Sequence, residues 1–185
     1  MRLILASASP RRADLLRAAG YDFDVMAADV AEIPAPDEAA ELNTLRVARD
    51  KARHVADRTP ADAIVLAADT EVVVGARILG KPASPEHAAA MLRELSGVPH
   101  DVLTAVVVRR NGGEVSKVVT TCVHFAPLSA QEIAWYVASG EPMGKAGAYG
   151  IQGRGARFVE RIEGSWSSVV GLPIATVHRL LREVQ

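Results

Sequence analysis

The stretch "HDVLTAVVVRRNGGEVSKVVTTCVHF", residues 100–125, most limits the fold. Two long β-prone runs flank "NGG", a turn signal that suits positive φ. They predict a long antiparallel hairpin. "EVVVGARILGKP" predicts a second, shorter hairpin turning near Gly75. An all-parallel sheet cannot hold two hairpins. Apolar strands and amphipathic helices also alternate elsewhere without a regular βαβ series. The expected class is therefore α/β, a mixed sheet flanked by helices.

The helices have clear punctuation. "LILASASPRRADLLRAAG" reads as a buried strand at Leu3–Leu5, a hydroxyl-rich turn and a helix. Ser9 is the expected N-cap, Pro10 the first helical residue and Gly20 the stop. "YDFDVMAADV" alternates like a strand, and "AEIPAPDE" reads as a loop. A long helix is expected within residues 39–58, and "AIVLAAD" as a buried strand ending at Asp69 and Thr70. "SPEHAAAMLRELSG" should be capped by Ser84 and bury Ala88, Met91, Leu92 and Leu95. Ser129 and Glu132 form a capping-box pattern. The last helix, from about Pro173, should bury Ile174, Val177, Leu180, Leu181 and Val184.

Composition narrows the function. The 185 residues suit one domain or one two-lobed unit, and 49% are hydrophobic. Net charge is −1, from 21 basic and 22 acidic residues, so no broad basic field faces nucleic acid or an anionic membrane. Any anion site must be local. The single cysteine, Cys122, excludes an internal disulfide and reads as a core thiol. No run approaches the roughly 20 apolar residues of a membrane span, and the N-terminal apolar stretch is too short for a signal peptide. A cytoplasmic protein is expected. The five histidines have no metal-ligand spacing.

Several charges demand explanation. Arg11 and Arg12 open a helix where cations are disfavoured. With Ser7, Ser9 and the unpaired N–H groups of the first turn, they form the ingredients of an anion site. The forked guanidinium donors suit phosphate oxygens. On a helical wheel, Lys51 is the one charge within the apolar half of its helix. It must snorkel out or meet an acid. Asp69 follows six apolar residues, Ala63–Ala68, at the expected carboxyl end of a strand, where α/β proteins place ligand groups. Glu32 could supply a second carboxylate and Lys81 could extend from "GKP". Seven of the fourteen glycines lie between residues 144 and 171. Gly150 and Gly153 frame Gln152, whose amide could pair with a nucleobase edge.

The ordered motifs "LASASPRRADLL", "VARDKA", "AADTEVVVGARILGKP", "GAYGIQG" and "VVGLPI" resemble the Maf family of nucleoside triphosphate pyrophosphatases, over nearly the whole chain. The resemblance implies one domain over residues 1–185, with two lobes around a central cleft. It implies an elongated mixed sheet like that of inosine triphosphate pyrophosphatases. It also implies hydrolysis between the α and β phosphates with Mg²⁺ or Mn²⁺, and a homodimer. Asp69 matches the family's catalytic acid–base position. Ser7, Arg12, Glu32, Lys51 and Lys81 match its other active-site positions, with Glu32 and Asp69 expected to hold the metal. Which carboxylate holds metal and which handles the proton stays open. Arg11, Thr70 and Gln152 match the markers of the subgroup acting on dTTP and UTP. Ala31 departs from a frequent Asp, Trp166 from a usual Tyr and Ser168 from a common Asn. A regulator of cell division that senses nucleotides without turnover is the competing expectation.

Overall fold

The computed structural model describes residues 2–33, 35 and 38–184. Pro34, Pro36 and Asp37 of the expected "AEIPAPDE" loop lie outside the described residues. The elements in chain order are β1 (Leu3–Leu5), α1 (Pro10–Ala18), β2 (Asp24–Val25), α2 (Ala40–Ala56), β3 (Ile64–Val74), β4 (Arg77–Leu79) and α3 (Pro85–Leu95). They continue with β5 (Pro99–Arg110), β6 (Gly113–Phe125), α4 (Ala130–Ala138), β7 (Val159–Glu163), α5 (Trp166–Val170) and α6 (Ile174–Glu183). The strands form a seven-stranded mixed sheet of order β2-β1-β3-β5-β6-β7, with β4 paired to β3. This is the mixed α/β architecture that the two hairpins demand.

The chain divides into two compact units. The first comprises Met1–Asp69, Thr104–Val119 and Gly171–Gln185; the second comprises Thr70–Leu103 and Thr120–Val170.

In the first unit, β1 pairs in parallel with β2 and β3, with Leu3, Ile4 and Leu5 opposite Ile64, Val65 and Leu66. Strand alternation gives its sheet two apolar faces. Leu3, Leu5, Ile64, Leu66, Val106 and Val108 pack with Leu16 of α1 and Val177, Leu180 and Leu181 of α6. Ile4, Val65, Ala67, Ala105 and Val107 pack with Ala48, Ala52 and Val55 of α2. Small side chains on both sides of this second layer let α2 approach the sheet closely. Ile174 and Val184 are partly buried at the ends of the α6 stripe.

In the second unit, α3 and α4 cover a core containing Val72, Leu79, Met91, Leu92, Phe125, Ile133, Tyr136, Tyr149 and Phe158. Ser84 caps α3 by accepting from the His87 N–H. Ser129 and Glu132 complete the capping box of α4. His100 is buried against the edges of Phe125 and Tyr149, and its Nε2 lies 2.8 Å from the Tyr149 hydroxyl.

Three local expectations need correction. The run from Tyr21 to Val30 pairs as a strand only at Asp24–Val25. Its neighbour β1 has three residues, and a ladder cannot outrun its partner. Next, β3 does not end at Asp69 and Thr70; it continues to Val74 because Val72–Val74 pair with Leu79–Arg77. Asp69 is therefore the sixth of eleven residues in a strand rather than a strand terminus. Finally, Ser9 holds the N-cap backbone position but its side chain makes no capping bond. Cys122 is half-buried in β6, and burial, then Asp101 and Glu163, push its thiol up, the direction of an unreactive thiol.

Candidate active site

The alternation that builds the first unit also places its charges. Asp69 shares the β3 face of Val65 and Ala67, which packs against α2. Lys51 lies on the inner side of α2, one turn from Val47 and from Val55, and all three are buried. The lysine and the aspartate therefore meet. Lys51 Nζ donates to Asp69 Oδ1 at 2.7 Å, with both side chains buried. The same Nζ is 2.5 Å from Glu32 Oε1, whose side chain is 38% exposed. One ammonium thus joins a helix, a strand and the loop after β2. The sequence left snorkelling or an acid partner as the choices for Lys51; the structure takes the acid.

Ser7 and Arg12 complete the cluster at the start of α1. No acidic residue occupies the first turn. Ser7 Oγ accepts from the Ser9 N–H and from Arg12 Nη1, each at 3.2 Å. Ser7 thus takes the polar work expected of Ser9. Arg12 Nε donates to the Gly171 carbonyl at 2.8 Å. Gly171 has φ +124°, a conformation that a side chain would strain. Arg12 is only 9% exposed. Burial pulls its guanidinium down from the ordinary value, Asp69 and then Glu32 push it back up, and Arg11 adds a downward pull. That balance places Arg12 in the electrostatic field of both acids.

Ser7, Arg12, Glu32, Lys51 and Asp69 are therefore brought together in the first unit, with half-buried Arg11 next to Arg12 along α1. The other three candidates belong to the second unit. Thr70 is half-buried in β3 and Lys81 is exposed after β4. Gln152 is exposed and stands at the N-cap of a 3-10 turn, Gly153–Phe158.

Sequence reasoning passed over two acids. Glu71 is buried two residues beyond Asp69. The period-2 pattern of β3 was the available signal. Glu141 holds the turn that follows Gln152, and nothing local in the sequence announces it.

The cluster's chemistry is that of an anion and cation site. Arg11, Arg12, Lys51, Ser7 and the first-turn N–H groups of α1 suit phosphate oxygens. Two carboxylates converge on one point, the Lys51 ammonium. No group of three or more His, Cys, Asp or Glu side chains suited to a metal occurs among the described residues.

A family model described as Maf-like protein matches residues 2–184. The chain belongs to the Maf-like family. Among curated Maf-like relatives, a dTTP/UTP pyrophosphatase of Anaeromyxobacter dehalogenans strain 2CP-1 is 54% identical, covering 98% of this chain and 93% of the relative. One from Methylococcus capsulatus is 50% identical over 100% of this chain and 91% of the relative. One from Vibrio parahaemolyticus is 48% identical over 99% and 97%. The solved Staphylococcus aureus Ham1 protein matches with a TM-score of 0.53 at 13% identity, covering 100% of both chains. That likeness establishes a shared fold for this Maf-like chain and leaves its chemistry to the residues above.

Proposed function

We propose that the chain hydrolyses nucleoside triphosphates between the α and β phosphates, with dTTP and UTP as preferred substrates. The products are a nucleoside monophosphate and pyrophosphate. The carrying observation is the buried Lys51–Asp69 pair, joined at the same ammonium by the more exposed Glu32, in the electrostatic field of Arg12. Three near-half-identical relatives named for this activity support it.

The roles follow from the side chains. Arg11, Arg12 and Lys51 bind phosphate oxygens and stabilise the charge that grows on the departing pyrophosphate. Ser7 holds the Arg12 fork in place. Lys81 adds a further cation toward the phosphates, while Thr70 and Gln152 contribute to nucleoside recognition. Asp69 orients the attacking water and accepts its proton.

The donor set fits Mg²⁺ or Mn²⁺. Glu32 and Asp69 offer hard oxygen ligands around the point now held by an ammonium. Such ions complete their shell with water and substrate phosphate rather than a full protein cage. When bound, the ion would polarise the phosphate and neutralise its charge. The same reading takes the cytoplasm as the location and a homodimer as the assembly, without nucleic acid or membrane partners. No described helix is long and apolar enough to cross a membrane. A sensor without turnover is not favoured, since the relatives carry a pyrophosphatase name.

Incubation with Mg²⁺ or Mn²⁺ and a nucleotide panel, with pyrophosphate and orthophosphate assayed separately, tests the reading. Pyrophosphate from dTTP and UTP is the expected product. Orthophosphate alone, or tight binding without product, would overturn it.

A further inference from the structure

The Gln152 turn is held by a network that the proposed chemistry does not use. The Glu141 carboxylate accepts from the Arg154 N–H through Oε2 and from the Gly155 N–H through Oε1, each at 3.0 Å. Tyr136 is fully buried, edge-on to Phe158, and its hydroxyl donates to Glu141 Oε1 at 3.0 Å. That hydroxyl also accepts from the Gly150 N–H at 3.2 Å. Glu141 and Tyr136 therefore clamp the backbone on both sides of Gln152. Burial would raise the Glu141 carboxyl, yet the N–H donors of Arg154 and Gly155, the Tyr136 hydroxyl and Lys145 outweigh it and leave it lowered.

The glycines clear space for this clamp. A Cβ on Gly153, whose φ is +75°, would lie 2.9 Å from Glu141 Oε2. One on Gly155 would lie 2.4 Å from the Gly150 carbonyl and 2.8 Å from the Tyr136 hydroxyl. The Arg157 guanidinium lies 4.4 Å over the exposed Trp135 ring and ties the turn to α4 from outside. Gln152 itself makes no side-chain cap for the turn that it begins.

We propose that Glu141 is a positioning residue for pyrimidine selection, acting through the Arg154 and Gly155 N–H groups and Tyr136 to fix the turn that presents Gln152. The inference rests on the reading that Gln152 recognises the base. The chemistry explains why a fixed turn matters. Uracil and thymine present a carbonyl acceptor beside an N–H donor, which one amide complements. Cytosine presents a ring-nitrogen acceptor beside an amino donor, which the same amide complements when turned over. A loosely held amide accepts both. A clamped turn fixes the place from which the amide reaches, so which pyrimidine edge it meets in register is set by position as well as by pairing.

The test is the ratio of kcat/KM for UTP over CTP in the Mg²⁺-supplied full chain. Glu141→Gln is nearly isosteric but turns an amide N–H₂ toward a donor. It should lower the ratio by roughly ten-fold or more, with kcat for UTP within about three-fold of wild type. Glu141→Asp, which keeps both acceptors, should recover part of the ratio. Trp135 fluorescence, read in a Trp166→Phe background, should shift in Glu141→Gln as Arg157 moves. Gln152→Ala should lower the ratio as well, and adding Glu141→Gln to it should lower it no further.

An unchanged ratio in folded Glu141→Gln, beside a lowered one in Gln152→Ala, overturns this inference alone. An unchanged ratio in Gln152→Ala removes the base-reading role and this inference with it. Should Glu141→Gln not fold, Tyr136→Phe removes only the bridging hydroxyl and should lower the ratio in the same direction. A lower melting temperature with an unchanged ratio in that variant also overturns it.

Discussion

Lys51 and Asp69 meet at 2.7 Å from opposite sides of a closely packed helix–strand layer. The ammonium occupies the point on which Glu32 also converges. Its single positive charge balances only one of the two carboxylates, and a divalent ion held by the same pair would compete with it.

Replacing Lys51 with Met should leave Asp69 buried without this partner and cost about 3 kcal/mol of stability, read as a lower melting temperature. Mg²⁺ should restore more of the melting temperature in Lys51→Met than it adds to wild type, because the competing ammonium is gone. Titration of Mn²⁺ without nucleotide should correspondingly give a lower Kd in the variant. Equal metal affinities would refute competition. Turnover of dTTP should fall by about 10²–10³, on the scale of a lost transition-state donor.

Asp69→Asn keeps the size of the side chain and an oxygen that can accept from Lys51, but removes the basic carboxylate. Turnover should be abolished while nucleotide binding and the circular dichroism spectrum remain. A near-normal rate would remove Asp69 from the proton-handling role.

Arg12 serves Ser7 and the Gly171 carbonyl with different arms of one planar fork. Lysine cannot reproduce that geometry. Arg12→Lys should raise KM for dTTP by roughly ten-fold, the effect of about one charge-assisted hydrogen bond. Gly171→Ala, which strains a backbone at φ +124°, should shift KM in the same direction. A KM unchanged in both variants would show that this contact does not set phosphate affinity.

The acid limb of stability should belong in part to His100. Burial holds its imidazole down to about 4, opposed by the Val98 backbone and reinforced by His124. In the unfolded chain the group binds a proton near its ordinary value of about 6.5. Below that value the unfolded state carries more protons, so stability falls as pH drops from about 6.5 toward 4, by about 3 kcal/mol in all. It is fully retained above the upper value. Chemical denaturation from pH 7 to pH 4 should show that slope in wild type and a shallower one in His100→Gln. Equal slopes would place the acid sensitivity elsewhere.

Much of this was legible in the chain. Lys51 stood out because a helix wheel isolates one charge among apolar neighbours, and burial then forces a partner on it. The hairpin turn declared itself in Asn111 and Gly112, which adopt φ +50° and +78°. Asp69 was noticed for an incomplete reason. The apolar run before it marks a buried strand, but the Val72–Val74 pairing with β4 carries that strand past it. Glu32 was visible only as a loop carboxylate and gained its weight from the family resemblance, since a loop glutamate has no periodicity to betray it. Glu141 was invisible because its partners include N–H groups 13 and 14 residues further along. Such a contact depends on the folded path of a glycine-rich segment, for which no periodic pattern exists.

The first unit is assembled from three separate stretches of chain, and α6 supplies part of the apolar cover over β1 and β3. During synthesis those strands emerge long before their cover does. One face of the nascent sheet must therefore wait, with Leu3, Leu5 and Leu66 uncovered by α6, until Leu181 has left the ribosome. The segment that holds Ser7 and Arg12 is therefore made well before the helix that shields its sheet from water.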